Sequence, residues 1–279
     1  MPVINFLFDL AALVLGLSVL GVGARPPVQR AGTLLGNLKP ADQRATARWK
    51  PLAILVALLV LRPLLYAPLA EITGTIPEWS PTPASVPFRP DYFSRLLTFS
   101  LVSFSWTTLI FLFWVLLLST LVRGCREPGP WNRFFQETLG PLARWPVVVA
   151  LFLPPLVGGC WWYLGRWPLA WLGVLPAAPT PELLIRQSLL IAAGIWVSAR
   201  WLFAGLLVLR LVNTYVYLGT HPFWDFVHQV GGVLLRPLRW LPLQLGKLDF
   251  APLIAAVLIL AAGWGAERGL VELYLRLRS

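Results

Sequence analysis

The chain has 279 residues, of which 57% are hydrophobic and only 13% are charged. A soluble domain usually carries about 25% charged residues and could not bury this much apolar surface, so the composition predicts an all-α, polytopic membrane protein. The formal net charge of +11 is then expected in cytoplasmic loops and at lipid headgroups, and no nucleic-acid partner is predicted. Two cysteines, Cys125 and Cys160, are too few for a disulfide framework or a cysteine-based zinc cluster.

Six apolar stretches are long enough, or nearly so, to cross a hydrocarbon core of about 30 Å. The fifth of them would form a helix much longer than that core, so it is expected to tilt, kink or leave the membrane at one end. Trp145 at the start of the fourth stretch and Trp161–Trp162 at its end are predicted to mark the two membrane interfaces. In chain order the stretches are residues 3–23, 51–69, 96–122, 145–164, 183–218 and 251–265, the last continuing to 270.

Basic residues are distributed unevenly among the connecting loops. Loops 24–50, 123–144 and 219–250 contain thirteen Lys and Arg residues, whereas loops 70–95 and 165–182 contain three. The positive-inside rule therefore predicts that the basic loops are cytoplasmic and that both termini lie outside, although the basic C-terminal tail mildly opposes this orientation. The first stretch lacks preceding basic residues and a small-residue cleavage site, so we expect a retained span.

The chain is predicted to contain three regions. A proline-rich segment ends an N-terminal hairpin, residues 1–90. Residues 128–146 (PGPWNRFFQETLGPLARWP) and 220–242 (THPFWDFVHQVGGVLLRPLRWLP) share a pattern of Pro, aromatic and Arg positions. We therefore predict two tandem units, 91–182 and 183–279, each built as span, amphipathic segment, span, with the first unit degenerate.

The segment from 221 to 242 shows helical periodicity. Phe226, Val227 and Val230 recur on one face, while Asp225, His228 and Gln229 take the other. Such a helix is expected to lie in the membrane interface with its aromatic residues at the acyl boundary, and Gly231–Gly232 is expected to loosen it.

Residues 206–260 resemble the YggT family of small bacterial and plastid membrane proteins. The shared pattern is a span ending in Arg, an N-P-F-like element, a Pro-hydrophobic-Arg element with a later Pro, and a G-x-x-D-x-S-P-like element that opens the next span. Here His221 replaces the usual Asn and Ala251 the usual Ser, and the hairpin 1–90 has no counterpart in the family. The matching positions are Arg210, Pro222, Phe223, Pro237, Arg239, Pro242, Gly246, Asp249 and Pro252.

The resemblance implies a multi-pass protein of the bacterial inner (cytoplasmic) membrane. Members are associated with osmotic or potassium tolerance and with cell-division gene neighbourhoods. In plastids they are associated with nucleoid organisation and with the maturation of cytochrome b6 haem. The resemblance assigns no catalytic, cofactor-binding or metal-binding residue, and we predict no cofactor.

Several polar side chains have more than one interpretation. Asp249 is predicted to cap the last span, with Pro252 in its first turn, and as a hypothesis to form an ion pair with Arg239 or Arg210. His221 and His228 lie about 10 Å apart on one helix, too far for one metal ion, so they are expected to form a polar interfacial pair, with haem ligation as the alternative.

Charges inside the apolar stretches are costly and usually pair or line a wet cavity. Asp9 is expected to pair with Arg62 or Arg200, and for the arginines the alternative is snorkelling to an interface. Gly194 and Ser198 are predicted to form a helix-packing notch.

No phosphate-binding glycine loop, paired carboxylates or Ser-His-Asp set is apparent. We therefore predict a non-enzymatic membrane scaffold or assembly factor. Its cytoplasmic amphipathic segments would contact the lipid bilayer, membrane protein partners or a second copy of the chain. The alternatives are a small cation (potassium) channel or transporter component in osmotic homeostasis, and a cytochrome cofactor-assembly factor.

Overall fold

The computed structural model describes residues 2–19, 49–123, 145–176, 180–216, 221–238, 244–245 and 248–277, with the single positions 131, 135, 139, 140, 142 and 219. Five helices within this part of the chain are long and apolar enough to cross a membrane: α2, α3, α4, α5 and α7. The predicted all-α polytopic class is therefore confirmed. The helices are α1 (Pro2–Val19), α2 (Trp49–Thr73), α3 (Phe93–Arg123), α4 (Val147–Trp171), α5 (Pro181–Tyr215), α6 (Pro222–Leu234) and α7 (Ala251–Arg276).

The helix bounds follow the apolar stretches closely. Helix α1 has 18 residues, and the rest of the predicted first span, residues 20–23, lies outside the described part. Helix α5 has 35 residues, which corresponds to about 52 Å at 1.5 Å per residue. It begins where the Thr180 hydroxyl accepts a hydrogen bond from the N–H of Leu183, with Pro181 in the first turn.

The prediction that Trp161 and Trp162 close the fourth span is wrong. Helix α4 continues through both to Trp171, and Trp162 is only 1% exposed. The exposed indoles near this end of the helix are those of Trp167 and Trp171. Periodicity along one helix could not show that a neighbouring helix would cover Trp162.

The structure divides into two compact units. The first comprises residues 1–79 and 87–107. Helices α1 and α2 pack through Ala12, Leu55 and Leu59. The hydroxyl of Ser100 on α3 donates to the carbonyl oxygen of Leu59 at 2.9 Å, so this polar group is satisfied inside the unit. A short strand, β1 (Glu78–Trp79), follows α2.

The second unit comprises residues 80–86 and 108–279. Helix α5 is its centre, because α4, α6 and α7 all pack against it. A 3₁₀ turn (Arg236–Leu238) follows α6. Strands β3 (Gln244–Leu245) and β4 (Leu248–Asp249) then form a small antiparallel hairpin in which Gln244 faces Asp249. Strand β2 (Val86–Pro87) lies where the chain returns to the first unit.

The predicted notch on α5 has a specific use. A Cβ atom at Gly194 would collide with the carbonyl group of Thr82, which is backbone and cannot turn away. Ser198, one turn further on, accepts a hydrogen bond from the indole N–H of Trp114 at 3.2 Å. Gly194 therefore makes room for the backbone of the loop at Thr82, and Ser198 contacts the neighbouring helix α3 through Trp114.

Replacing Gly194 by Ala should destabilise the protein, because the methyl group must displace the Thr82 backbone. We expect a loss of about 1–3 kcal/mol, typical of overpacking. The matched control is Gly205→Ala on the same helix, where a Cβ would meet no atom within 4 Å. Thermal unfolding in detergent measures both, and equal midpoints for the two variants would contradict this account.

Candidate functional site

Helix α6 is the surface helix between the last two spanning helices. Its first backbone donors are satisfied by His221, whose Nδ1 accepts from the N–H of Phe223 at 3.2 Å, and Pro222 occupies the first turn. The ring nitrogen therefore caps the start of α6. This gives His221 a structural role that does not involve a ligand.

The apolar face of α6 packs on protein. Phe226, Val227 and Val230 are buried in a cluster that also contains Phe135. The ring of Trp131 lies 5.1 Å from that of Phe226, and its indole N–H donates to the carbonyl oxygen of Pro222 at 3.1 Å. The expectation that the aromatic residues lie at the acyl boundary is therefore wrong for this face, since other parts of the chain cover it.

The other face of α6 is open. Asp225, His228 and Gln229 are exposed. Partial burial and the guanidinium of Arg210 lower the pKa of His228 from its ordinary value, while Asp225 acts in the opposite direction. His228 is thus favoured as a neutral side chain near pH 7.

Arg210 attaches α5 to α6. Its Nη1 atom donates to the carbonyl oxygen of His228, and its methylene groups lie over Gly231, where a Cβ would come within 2.7 Å of Cδ. At Gly232 a Cβ would come within 3.0 Å of Nη1. The helix continues through both glycines to Leu234, so the prediction that they loosen it is wrong. Because Gly231 and Gly232 lack a Cβ atom, the Arg210 side chain can pack directly against the helix.

Asp249 lies at the start of α7. Its Oδ1 atom accepts from the N–H of Ala251 at 2.9 Å, and Pro252 is in the first turn of that helix. The Tyr215 hydroxyl accepts from the N–H of Asp249 at 2.7 Å. These bonds connect the ends of α5 and α7 through the hairpin.

The ion pair hypothesised between Asp249 and Arg210 is absent, while the alternative pair with Arg239 stays a prediction, because Arg239 lies outside the described residues. The ion pairs found among the described residues are Asp9–Arg62, Glu182–Arg186 and Arg200–Glu267. Arg210 instead bonds the His228 carbonyl. Arg239, Pro242 and Gly246 lie outside the described residues, whereas Phe223 is half-buried and Pro237 exposed.

Arg200 pairs with Glu267, a partner that the sequence reasoning missed. Its side chain crosses Gly263 on α7, where a Cβ would overlap the arginine methylenes, and Nη2 donates to the Glu267 carboxylate. Gly263 and Glu267 are four residues apart, so they share one face of α7. This spacing of a glycine and an acid in the sequence could have indicated a site for an arginine side chain.

Asp9 pairs with Arg62, one of its two predicted partners, at 2.7 Å. The Asp9 carboxylate also accepts from the Ser103 hydroxyl at 2.8 Å, and Arg62 donates to Asn5. The guanidinium carbon lies 4.8 Å from the centre of the Phe99 ring. Arg62 is only 1% exposed, so it does not snorkel but is neutralised within the first unit.

Asp9→Asn should strongly destabilise the first unit, because it leaves the Arg62 guanidinium buried without its countercharge. Removing one partner of a buried pair typically costs about 3–5 kcal/mol. Glu182→Gln is the control, since it breaks an exposed ion pair worth about 0–1 kcal/mol. Thermal melting in detergent should separate the two variants, and the double variant Asp9→Asn with Arg62→Met should recover part of the loss. Equal midpoints for Asp9→Asn and Glu182→Gln would contradict the argument.

Asp249→Ala should lower stability by about 0.5–2 kcal/mol through loss of the bond to the first N–H of α7. Asp249→Asn keeps an oxygen acceptor at the same place and should lie close to the wild type in the same melting experiment. A large loss in Asp249→Asn would show that the negative charge matters and would support the predicted ion pair with Arg239.

Comparison with known proteins agrees with this geometry. No curated protein and no solved structure matches the chain. The model of the family CCB3/YggT matches residues 189–266, which span most of α5, all of α6, the β3–β4 hairpin and the first part of α7. The arginines at 200 and 210, the glycine pair and Asp249 all lie inside this range. Residues 189–266 of this integral membrane protein are therefore similar to the CCB3/YggT family, as the sequence resemblance predicts.

Proposed function

We propose that the protein is a non-enzymatic scaffold or assembly factor of a bacterial cytoplasmic membrane, and that the polar face of α6 is its contact surface for a membrane protein partner. The observation that carries this proposal is the contrast between the two faces of α6. One face is buried against protein, and the opposite face presents Asp225, His228 and Gln229 to solvent.

The attachment of α6 supports a role in binding. The helix is held at its start by the Trp131 bond to Pro222 and at its middle by the Arg210 bond to the His228 carbonyl. Binding to a helix that is already held in place costs less conformational entropy than binding to a mobile segment, which the partner would have to order. Arg236 and Pro237, just beyond the helix, are also exposed.

The sign of the surrounding charge also supports this proposal. Helix α6 lies in the loop 219–250, one of the three basic loops that the positive-inside rule assigns to the cytoplasm. On that side the exposed carboxylate, imidazole and amide could hydrogen-bond to a polar cytoplasmic segment of another membrane protein. A partner would then be recognised by polar contacts and not by insertion of α6 into lipid.

The test is affinity purification of the full-length protein from its native membrane, with quantitative identification of the bound proteins. The double variant Asp225→Ala with Gln229→Ala removes two side chains that are one helical turn apart. We expect at least about a fivefold loss of a defined partner, equivalent to about 1 kcal/mol. The matched control, Glu71→Ala with Glu272→Ala, removes two exposed carboxylates elsewhere and should retain the partner.

Two further measurements address the other functions. Potassium flux through the purified protein in liposomes would favour a channel or transporter component over a scaffold. Absorption in the Soret region after purification would favour cytochrome cofactor assembly. Retention of every bound protein by the α6 double variant would contradict the proposed contact surface.

A further inference from the structure

Helix α7 packs against α5 on one side. Ala255 and Ala256 are buried against α5, and Gly263 lies under the side chain of Arg200. Only 11% of the most apolar part of α7 is buried, compared with 28–39% in the other four helices that could span a membrane. The face of α7 that points away from α5 is therefore exposed in the part of the chain that the structure describes.

The exposed face of α7 carries a stripe of small residues. Ala261, Gly265 and Gly269 are exposed, and their spacing of four residues places them on one side of the helix. Gly265 comes two residues after Gly263, so it points nearly away from α5. A Cβ atom at Gly265 or at Gly269 would meet no atom within 4 Å. Gly263 makes room for Arg200, whereas these two glycines make room for no described residue of the same chain.

This stripe differs from the exposed face of another spanning helix. The exposed residues of α2 include large aliphatic side chains, among them Leu52, Ile54, Leu61 and Leu64. Acyl chains are as apolar as leucine, so a face that lipid covers gains nothing from small residues. At a contact between two spanning helices, glycine and alanine let the backbones approach closely and gain van der Waals contacts. The stripe on α7 therefore favours a second helix as its neighbour.

Charged residues continue the same face beyond the stripe. Glu272 and Arg276 are exposed, and Glu272 takes part in none of the ion pairs found among the described residues. At 3.6 residues per turn, the two side chains lie about 20° to either side of the direction of Gly265. Glu272 is roughly 32 Å from the start of α7 at about 1.5 Å per residue, beyond a hydrocarbon core of about 30 Å. The small residues thus lie within the depth of the core and the charges at its far edge.

The two charges make this face complementary to itself. Two copies of the chain that are inserted with the same topology have parallel α7 helices. In a two-fold symmetric pair, a residue on one side of the first helix contacts a residue on the opposite side of the second, and the reverse contact forms as well. Glu272 of each copy then lies opposite Arg276 of the other copy. This match of charge indicates a second copy of the chain, because acyl chains would supply no such partner.

We propose that α7 is a homodimer contact. Two parallel α7 helices cross at Ala261, Gly265 and Gly269, and reciprocal ion pairs between Glu272 and Arg276 fix their register at the edge of the membrane. The contact uses other residues than the polar face of α6, so it goes beyond the proposed scaffold function. A dimer presents the α6 surface twice, once on each copy.

Native mass spectrometry of the full-length protein in detergent, over a range of protein concentrations, measures the dissociation constant of the dimer. We expect a dimer for the wild type. Gly265→Leu places a large side chain in the crossing and should raise the dissociation constant at least about tenfold. The control is Gly205→Leu, which adds the same side chain at an exposed glycine of α5 where a Cβ would also meet no atom within 4 Å. It should keep the dimer.

An exchange of the two charges tests the ion pairs. Glu272→Arg places like charges opposite each other and should raise the dissociation constant by roughly three- to tenfold. The double variant Glu272→Arg with Arg276→Glu restores the pairs in the reverse order and should return the constant towards that of the wild type. Both residues are exposed, so this test decides if Gly265→Leu does not fold.

A monomeric wild type at every concentration would overturn the proposal and would leave the stripe to lipid. Equal effects of Gly265→Leu and Gly205→Leu would also overturn it, as would a charge exchange without recovery. A different membrane protein that replaces the second copy and is lost in Gly265→Leu would show another occupant and would count against the homodimer. Asp225→Ala with Gln229→Ala on α6 should keep the dimer, so the two proposals can fail separately.

Discussion

A charge held in the apolar part of a membrane must be neutralised inside the protein, because lipid offers no hydrogen bonds and little electrostatic screening. This constraint accounts for one ion pair between helices in each unit. In the first unit, Asp9 neutralises Arg62, while Ser103 and Asn5 complete the hydrogen bonding. In the second, Glu267 neutralises Arg200. Each pair connects helices that are distant in sequence, so it forms only when its unit is folded.

Two arginine side chains of the second unit pack over glycines of a neighbouring helix. The side chain of Arg210 runs over Gly231 and Gly232, and that of Arg200 runs over Gly263. A long aliphatic stem needs a groove if its charged end is to reach an acceptor on the neighbouring helix. Glycine provides the groove by omitting Cβ, and the close approach compensates for its lower helix propensity. The arginine that ends the family pattern and the glycine pair therefore act as one contact, although about twenty residues separate them.

The attachment of α6 determines which surfaces remain for binding. Its apolar residues, together with Trp131 and Phe135, are used in the core, so lipid insertion of that face is excluded by packing. Among the described residues of α6, Asp225, His228 and Gln229 stay exposed on the opposite face.

The sequence by itself determined the membrane class, the approximate bounds of the spanning helices and the resemblance to the CCB3/YggT family. These depend on local composition and spacing, because hydropathy, capping and turn chemistry act within a few residues. Only the tertiary structure decided that Asp9 meets Arg62, that Arg200 meets Glu267 and that Trp162 is buried. It also decided that the aromatic face of α6 packs on protein and that Gly231 and Gly232 admit Arg210. Each of these depends on which helices become neighbours, and an amphipathic pattern does not distinguish a lipid surface from an apolar protein surface.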